Sequence, residues 1–95
     1  MKVILKDNGE IRLEGMHLKG DAGAAFVKSL RDKLPDRPDR SNNAWCDWDT
    51  EPGHCDVFVF FPFSGWAQWL DTIKPDLEAL DPGWYTAAKT QLEAL

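Results

Sequence analysis

The sequence has few of the residues from which most catalytic and metal centres are built, with two cysteines and two histidines among 95 residues. Two cysteines do not make a disulfide scaffold. The chain also lacks the Gly-x-Ser-x-Gly motif of a nucleophilic serine, a phosphate-binding glycine loop and a helical His-Glu-x-x-His pair. We therefore predict that the protein is not an enzyme and binds no cofactor.

Long apolar runs and an excess of basic residues are also missing. The longest apolar run, residues 57–61, has the length of a strand and is far short of the roughly 18 residues of a membrane span. Lys2 and Lys6 interrupt the first residues, unlike the apolar segment of a signal peptide. Nucleic acids and anionic membranes both attract basic chains, and this chain has a formal net charge of −5. We expect a cytoplasmic protein that binds neither.

What the chain does have is the length of a single domain, residues 1–95, with an uneven distribution of charge and tryptophan. Residues 1–40 carry nine Lys or Arg and seven Asp or Glu, a net charge of +2. Residues 41–95 carry two against nine, a net charge of −7, and contain all five tryptophans. Aromatic side chains among carboxylates are typical of a surface that binds a basic partner.

The first residues predict a β-hairpin around Asp7-Asn8-Gly9. A two-residue loop would mix apolar and polar side chains on each face of the hairpin. A three-residue loop with a left-handed Gly9 keeps one face apolar and matches opposite charges on the other. The cross-strand pairs predicted by this register are Val3–Leu13, Leu5–Ile11, Lys6–Glu10 and Lys2–Glu14.

Three helices are predicted from apolar stripes at helical spacing. The first begins at Gly20-Asp21, with Asp21 as its N-cap, and ends at Pro35. The second is capped by Ser64 and keeps its spacing past Pro75, so we expect a kink or two short helices there. The third begins at Asp81-Pro82. The stripes comprise Phe26, Val27, Leu30 and Leu34; Trp66, Trp69, Leu70, Ile73, Leu77 and Leu80; and Trp84, Tyr85, Ala88, Leu92 and Leu95.

A second hairpin is predicted from residues 45–49 and 55–61, and its later strand has apolar side chains on both faces. This pattern indicates a central strand, or a strand whose outer face meets a partner. The polar segment at residues 35–43 is interpreted as mobile surface or a binding loop. With the element order ββαββαα, we predict an α+β domain: a small antiparallel sheet of about four strands with helices on one face.

The turn of the second hairpin brings Cys46, His54 and Cys55 near one another in sequence, and zinc accepts all three as ligands. The short Cys-x-x-Cys spacing is absent, and three such side chains leave a structural site incomplete. We therefore predict two reduced cysteines and no metal, with a metal- or small-molecule-binding domain at this corner as the alternative. His17 is interpreted as a half-exposed strand residue.

Trp45 and Trp48 point to opposite faces of their strand, so one of them is expected to face away from the core. A solvent-side tryptophan among carboxylates is the best candidate for a binding site; the other interpretation is a ring covered by residues 35–43. The predicted partner-binding residues are Trp45, Asp47, Trp48, Asp49, Glu51, Asp56, Phe58 and Phe60.

These features favour a small acidic, non-catalytic protein-binding module, either monomeric or homodimeric. Its partner is expected to be a protein with a basic surface of the kind that binds nucleic acid. An inhibitor or antagonist would fit, such as a phage antagonist of bacterial defence or a toxin-immunity protein. A structural homodimer, with the face of Phe58 and Phe60 buried between copies, is a further alternative.

Overall fold

The computed structural model describes residues 1–48 and 51–95, which form a four-stranded antiparallel sheet and three helices. The order of the strands in the sheet is β1-β2-β4-β3, so β2 and β4 are central and β3 is an edge strand. The predicted α+β class and the order ββαββαα are confirmed. The elements are β1 (Lys2–Leu5), β2 (Glu10–Lys19), α1 (Gly20–Lys33), β3 (Ala44–Trp48), β4 (His54–Pro62), α2 (Trp66–Leu80) and α3 (Pro82–Glu93).

The β1–β2 hairpin has the predicted register, with Val3 opposite Leu13 and Leu5 opposite Ile11. Gly9 has a φ of 85°, which is the left-handed conformation that the three-residue loop requires. The loop is closed by the Lys6 N–H, which donates to the Glu10 carbonyl at 2.8 Å. The pattern of residues near the turn was therefore sufficient to predict this register.

A β-bulge interrupts β2 between Leu13 and Met16, where Gly15 has a φ of 79°. Ile11 and Leu13 before the bulge, and Met16 after it, are all fully buried in the core. The change of parity moves His17 to the other face of the sheet, where it pairs in register with Asp56 of β4. Without the bulge, strict alternation would direct position 17 to the same face as Ile11 and Leu13.

The hydrophobic core lies between the sheet and the three helices. On β4, the core side chains are those predicted for one face, namely Cys55, Val57, Val59 and Phe61, and each is buried. The helix stripes pack against them through Phe26, Val27, Leu30, Leu70, Ile73, Leu77, Ala88 and Leu92. Trp66 and Trp69 are partly buried at the margin of this core. The description of β4 as a central strand is confirmed.

The first helix begins at Gly20 as predicted, but two of the three predicted N-caps are wrong. The N-cap of α1 is Lys19, because β2 runs directly into the helix, and Asp21 instead accepts from the Ala22 N–H inside the first turn. The N-cap of α2 is Gly65, in the left-handed conformation with φ 77°, and not Ser64. Asp81 is the N-cap of α3 as predicted, and its carboxylate accepts from the Gly83 N–H at 2.8 Å.

Pro75 lies inside α2, which continues as one helix from Trp66 to Leu80, so the division into two short helices is wrong. Ile73 and Leu77, on either side of the proline, are both fully buried. Burial of these two side chains on one stripe offsets the backbone hydrogen bond that proline cannot donate. In the part of the chain described, no helix is both long and apolar enough to cross a membrane.

Candidate functional site

The sheet face opposite the helices carries an aromatic cluster formed by Trp45, Phe58 and Phe60. Trp45 of β3 is paired in register with Phe58 of β4, and Phe60 is two residues further along the same face. The Trp45 ring is stacked on both phenylalanines, with centroid separations of 5.7 Å to Phe58 and 5.0 Å to Phe60. The cluster therefore forms one continuous aromatic surface across the two strands.

Arg37, from the 35–43 segment, covers this cluster. Its guanidinium carbon lies 3.9 Å from the Phe60 ring centroid and 5.9 Å from that of Trp45. Phe60 is consequently 2% exposed and cannot contact a partner directly, which corrects its place among the predicted partner-binding residues. Trp45, which is half-buried, is therefore the tryptophan ring that the 35–43 segment covers. This is the second of the two interpretations given for an outward-facing tryptophan.

Glu10 holds Arg37 in this position through two charge-assisted hydrogen bonds of 2.8 Å each, in a bidentate arrangement. The side chains of Arg37 and Glu10 are only 8% and 7% exposed. Hydrogen bonding to Arg37 lowers the pKa of the Glu10 carboxyl from its ordinary value of 4.5. The sequence predicted a charge pair between Lys6 and Glu10. The backbones of these two residues pair as expected, but the Glu10 carboxylate binds Arg37.

The 35–43 segment is also anchored at its far end. The side-chain amide of Asn43, which is buried, donates to the Leu34 carbonyl at 3.1 Å and to the Pro35 carbonyl at 3.2 Å. These contacts and the Arg37–Glu10 pair tie the segment to α1 and to the open face of the sheet. They favour a structural cover over a mobile binding loop.

Trp48 is the most exposed of the large hydrophobic side chains described, at 62%. It lies at the end of edge strand β3, on the helix side of the sheet, opposite Cys55 in register. One side of its six-membered ring rests on Gly20, where an added Cβ would collide with the ring. The other side of the indole faces solvent beyond the margin of the core.

Carboxylates surround the end of this hairpin. Asp47 is exposed and lies directly opposite Asp56 across β3 and β4, an arrangement of like charges that is unfavourable in a sheet. Glu51, in the turn, is also exposed. Asp49, a further predicted partner-binding residue, lies outside the described residues. The structure therefore places Asp47, Glu51 and Asp56 around the end of the hairpin, with Asp47 and Asp56 on the face opposite Trp48.

A histidine cluster, defined here as His17, His54, Glu51 and Asp56, occupies the same end of the open face. His17 Nδ1 lies 2.9 Å from Asp56 Oδ1, and His17 Nε2 lies 2.9 Å from Glu51 Oε2. The His54 ring is stacked on the His17 ring, with 5.2 Å between centroids and 4° between planes. His54 Nδ1 is 3.2 Å from the Pro52 carbonyl and 3.5 Å from Glu51 Oε1. The contacts of His17 with Asp56, Glu51 and His54 were not predicted from the sequence, because they depend on the β2–β4 pairing and on the bulge.

The two cysteines lie on the other side of the sheet from this cluster. Cys55 is buried and Cys46 is half-buried. Their sulfurs converge on Gly23 of α1, where an added Cβ would collide with Cys55 Sγ and lie 3.2 Å from Cys46 Sγ. The predicted alternative site at Cys46, His54 and Cys55 is therefore not brought together, because successive residues of β4 alternate between faces.

No protein-family model, curated protein or solved structure matches this chain.

Proposed function

We propose that this chain is a small non-catalytic protein-binding module that docks the end of its β3–β4 hairpin on a basic surface of another protein. The observation that carries the proposal is the 62% exposure of Trp48 at the end of an edge strand, where Asp47 presents its carboxylate on the opposite face of the sheet. Exposed tryptophans that become buried on association are among the largest single contributors to affinity at protein interfaces.

The position of the Trp48 ring supports this role. Because the indole rests on the Gly20 backbone, its orientation is partly set before a partner arrives. A side chain that is already ordered loses less conformational entropy on binding than a freely rotating one. The exposed face of the ring is then available as an anchor without rearrangement of the hairpin.

The carboxylates at the end of the β3–β4 hairpin indicate the kind of partner. Asp47 opposite Asp56 repels in the isolated chain, and cations on a partner would relieve this repulsion. The formal net charge of −5 adds long-range attraction to any basic surface and would raise the association rate. Surfaces of this kind often bind nucleic acid, so an antagonist of a nucleic-acid-binding protein, such as a phage antagonist of bacterial defence or a toxin-immunity protein, fits the proposal.

Burial of Phe60 bears on the homodimer alternative. That alternative used the face of Phe58 and Phe60 as the contact between copies, but Arg37 already covers Phe60 within one chain. Contact through the end of the β3–β4 hairpin with a different, basic protein is the better-supported arrangement.

The proposal is tested by using the chain as bait in a lysate of its source cells and then measuring the kinetics with the purified captured protein. Trp48→Ala should weaken binding mainly by faster dissociation, and Asp47→Lys should slow association. The matched controls are two exposed positions outside the β3–β4 hairpin. They are Leu95→Ala, where the side chain is 57% exposed, and Glu78→Lys on α2. Equal affinity and rates for folded Trp48→Ala, Asp47→Lys and the unchanged chain would refute the proposed surface.

A further inference from the structure

The histidine cluster brings together three side chains that are good ligands for a transition metal. Ligand atoms of His17, Glu51 and His54 all lie within 4.8 Å of one another. We propose that these three residues bind one divalent transition metal ion, and that zinc is the ion whose preferences they fit best. Two imidazoles and one carboxylate form a ligand set that zinc uses at sites with a fourth, solvent-occupied position.

The separations between ligand atoms support a tetrahedral ion. Zinc–nitrogen and zinc–oxygen bonds of about 2.0–2.1 Å imply roughly 3.3 Å between neighbouring ligand atoms at a tetrahedral site. The observed separations are 2.9 Å from Glu51 Oε2 to His17 Nε2 and 3.5 Å from Glu51 Oε1 to His54 Nδ1. Each separation is close to the required distance, but each is measured to a different Glu51 oxygen, and the two ring planes are only 4° from parallel. The rings must therefore turn for both nitrogens to bind one ion.

Asp56 supplies the supporting contact that a metal-binding histidine usually has. It lies 2.9 Å from His17 Nδ1, on the side of the ring away from Glu51. A carboxylate that accepts from Nδ1–H fixes the ring orientation and leaves Nε2 as the nitrogen that binds the metal. Asp56 would therefore act as a positioning residue for His17 rather than as a ligand.

The contacts of His17 also define what the metal would replace. Both ring nitrogens lie 2.9 Å from carboxylate oxygens, Nδ1 from Asp56 and Nε2 from Glu51. An ion bound to Nε2 would replace the direct contact of that nitrogen with Glu51 and would leave the contact with Asp56 in place.

The surrounding charge favours a cation as well. Asp47 lies opposite Asp56 on the same face of the sheet, so the site has carboxylates beyond the one that would bind the ion. The site joins β2, through His17, to the β3–β4 turn, through Glu51 and His54. It does not rest on the proposed partner contact, because Trp48 lies on the other side of the sheet.

The experiment is titration calorimetry of the tag-free chain with zinc chloride, with magnesium chloride as the control ion. We expect one zinc per chain and no binding of magnesium. His17→Ala and His54→Ala should each weaken zinc binding more than about tenfold, and Asp56→Asn by about tenfold. Cys46→Ala and Trp48→Ala, on the other side of the sheet, should leave zinc binding unchanged.

Imidazole resonances of the unchanged chain give a second readout that does not depend on the folding of any variant. Zinc should shift the signals of both His17 and His54. The proposal is overturned if zinc at millimolar concentration produces neither heat nor shifts. It is equally overturned if folded His17→Ala and His54→Ala bind zinc as well as the unchanged chain, or if Cys46→Ala abolishes binding. A loss of partner binding in Trp48→Ala with intact zinc binding would separate this site from the proposed function.

Discussion

In the β1–β2 hairpin, Val3 lies opposite Leu13, Leu5 opposite Ile11 and Lys2 opposite Glu14, whereas in the β3–β4 hairpin Asp47 lies opposite Asp56. These three pairs of the first hairpin follow the rules of cross-strand pairing, and its loop follows the rules of turn chemistry. The second breaks them near its turn, with opposed carboxylates, an exposed Trp48 and a His54 ring stacked on His17 of β2. Local rules are commonly broken where a residue is kept for function rather than for stability. The end of the β3–β4 hairpin is therefore the better candidate for a functional surface.

The largest expected effect on stability comes from removing the side chain that holds the 35–43 segment on the open face of the sheet. Arg37→Ala leaves the buried Glu10 carboxylate without its partner and uncovers Phe60. Loss of one member of a buried ion pair costs on the order of 3 kcal/mol of unfolding free energy. Urea denaturation measures the change, with Lys28→Ala on the exposed side of α1 as the control. A change no larger than that of the control would show that Arg37 does not anchor the 35–43 segment.

The same pair should make stability depend on acid pH. The pKa of Glu10 is lowered in the folded chain, so its contribution is fully present above its ordinary pKa of 4.5 and is lost as the pH falls through the lowered value. Urea midpoints measured from pH 6 to pH 3 should therefore decline less steeply in Glu10→Gln than in the unchanged chain. Parallel pH profiles of the two proteins would contradict the assignment.

A smaller effect is expected at the turn of the regular hairpin. Gly9→Val places a β-branched residue at a φ of 85° and should lower the unfolding free energy by roughly 1 kcal/mol or more. No atom lies within 4 Å of the added Cβ, so the cost comes from the backbone conformation and not from a collision. Gly9→Asn is the matched control and should cost less, because asparagine tolerates the left-handed region. Equal losses in both variants would point to another cause.

The smallest expected effect on stability is an increase, and it is expected at Asp47 in the β3–β4 hairpin. Asp47→Asn removes the like-charge pair with Asp56 and should raise the unfolding free energy by a few tenths of a kcal/mol. If the carboxylate is kept for function, the same variant should associate more slowly with a basic partner. Thermal unfolding at low and high salt measures the stability change, which salt should reduce. Lower stability in Asp47→Asn would mean that the two carboxylates do not repel in the folded chain.

Sequence patterns were sufficient for several features whose deciding contacts are local. The register of β1–β2 follows from the Asp7-Asn8-Gly9 turn and from alternation over a few residues on each side. The cap at Asp81 and the buried face of β4 follow from equally short patterns. The acidic end of the second hairpin was also predicted, since Asp47, Glu51 and Asp56 are close in sequence. Such interactions are the same in any fold that contains the segment.

Tertiary structure alone decided the contacts between distant segments. His17 reaches His54 only because a bulge at Gly15 changes the face on which β2 presents it, and because β2 pairs with β4. Arg37 reaches Glu10 across the open face, and this contact determined that Trp45 and Phe60 are covered. Likewise, Trp48 is exposed although it is on the helix side of the sheet, because it lies past the end of the core. These outcomes depend on how the elements pack, which propensity and periodicity within one segment do not encode.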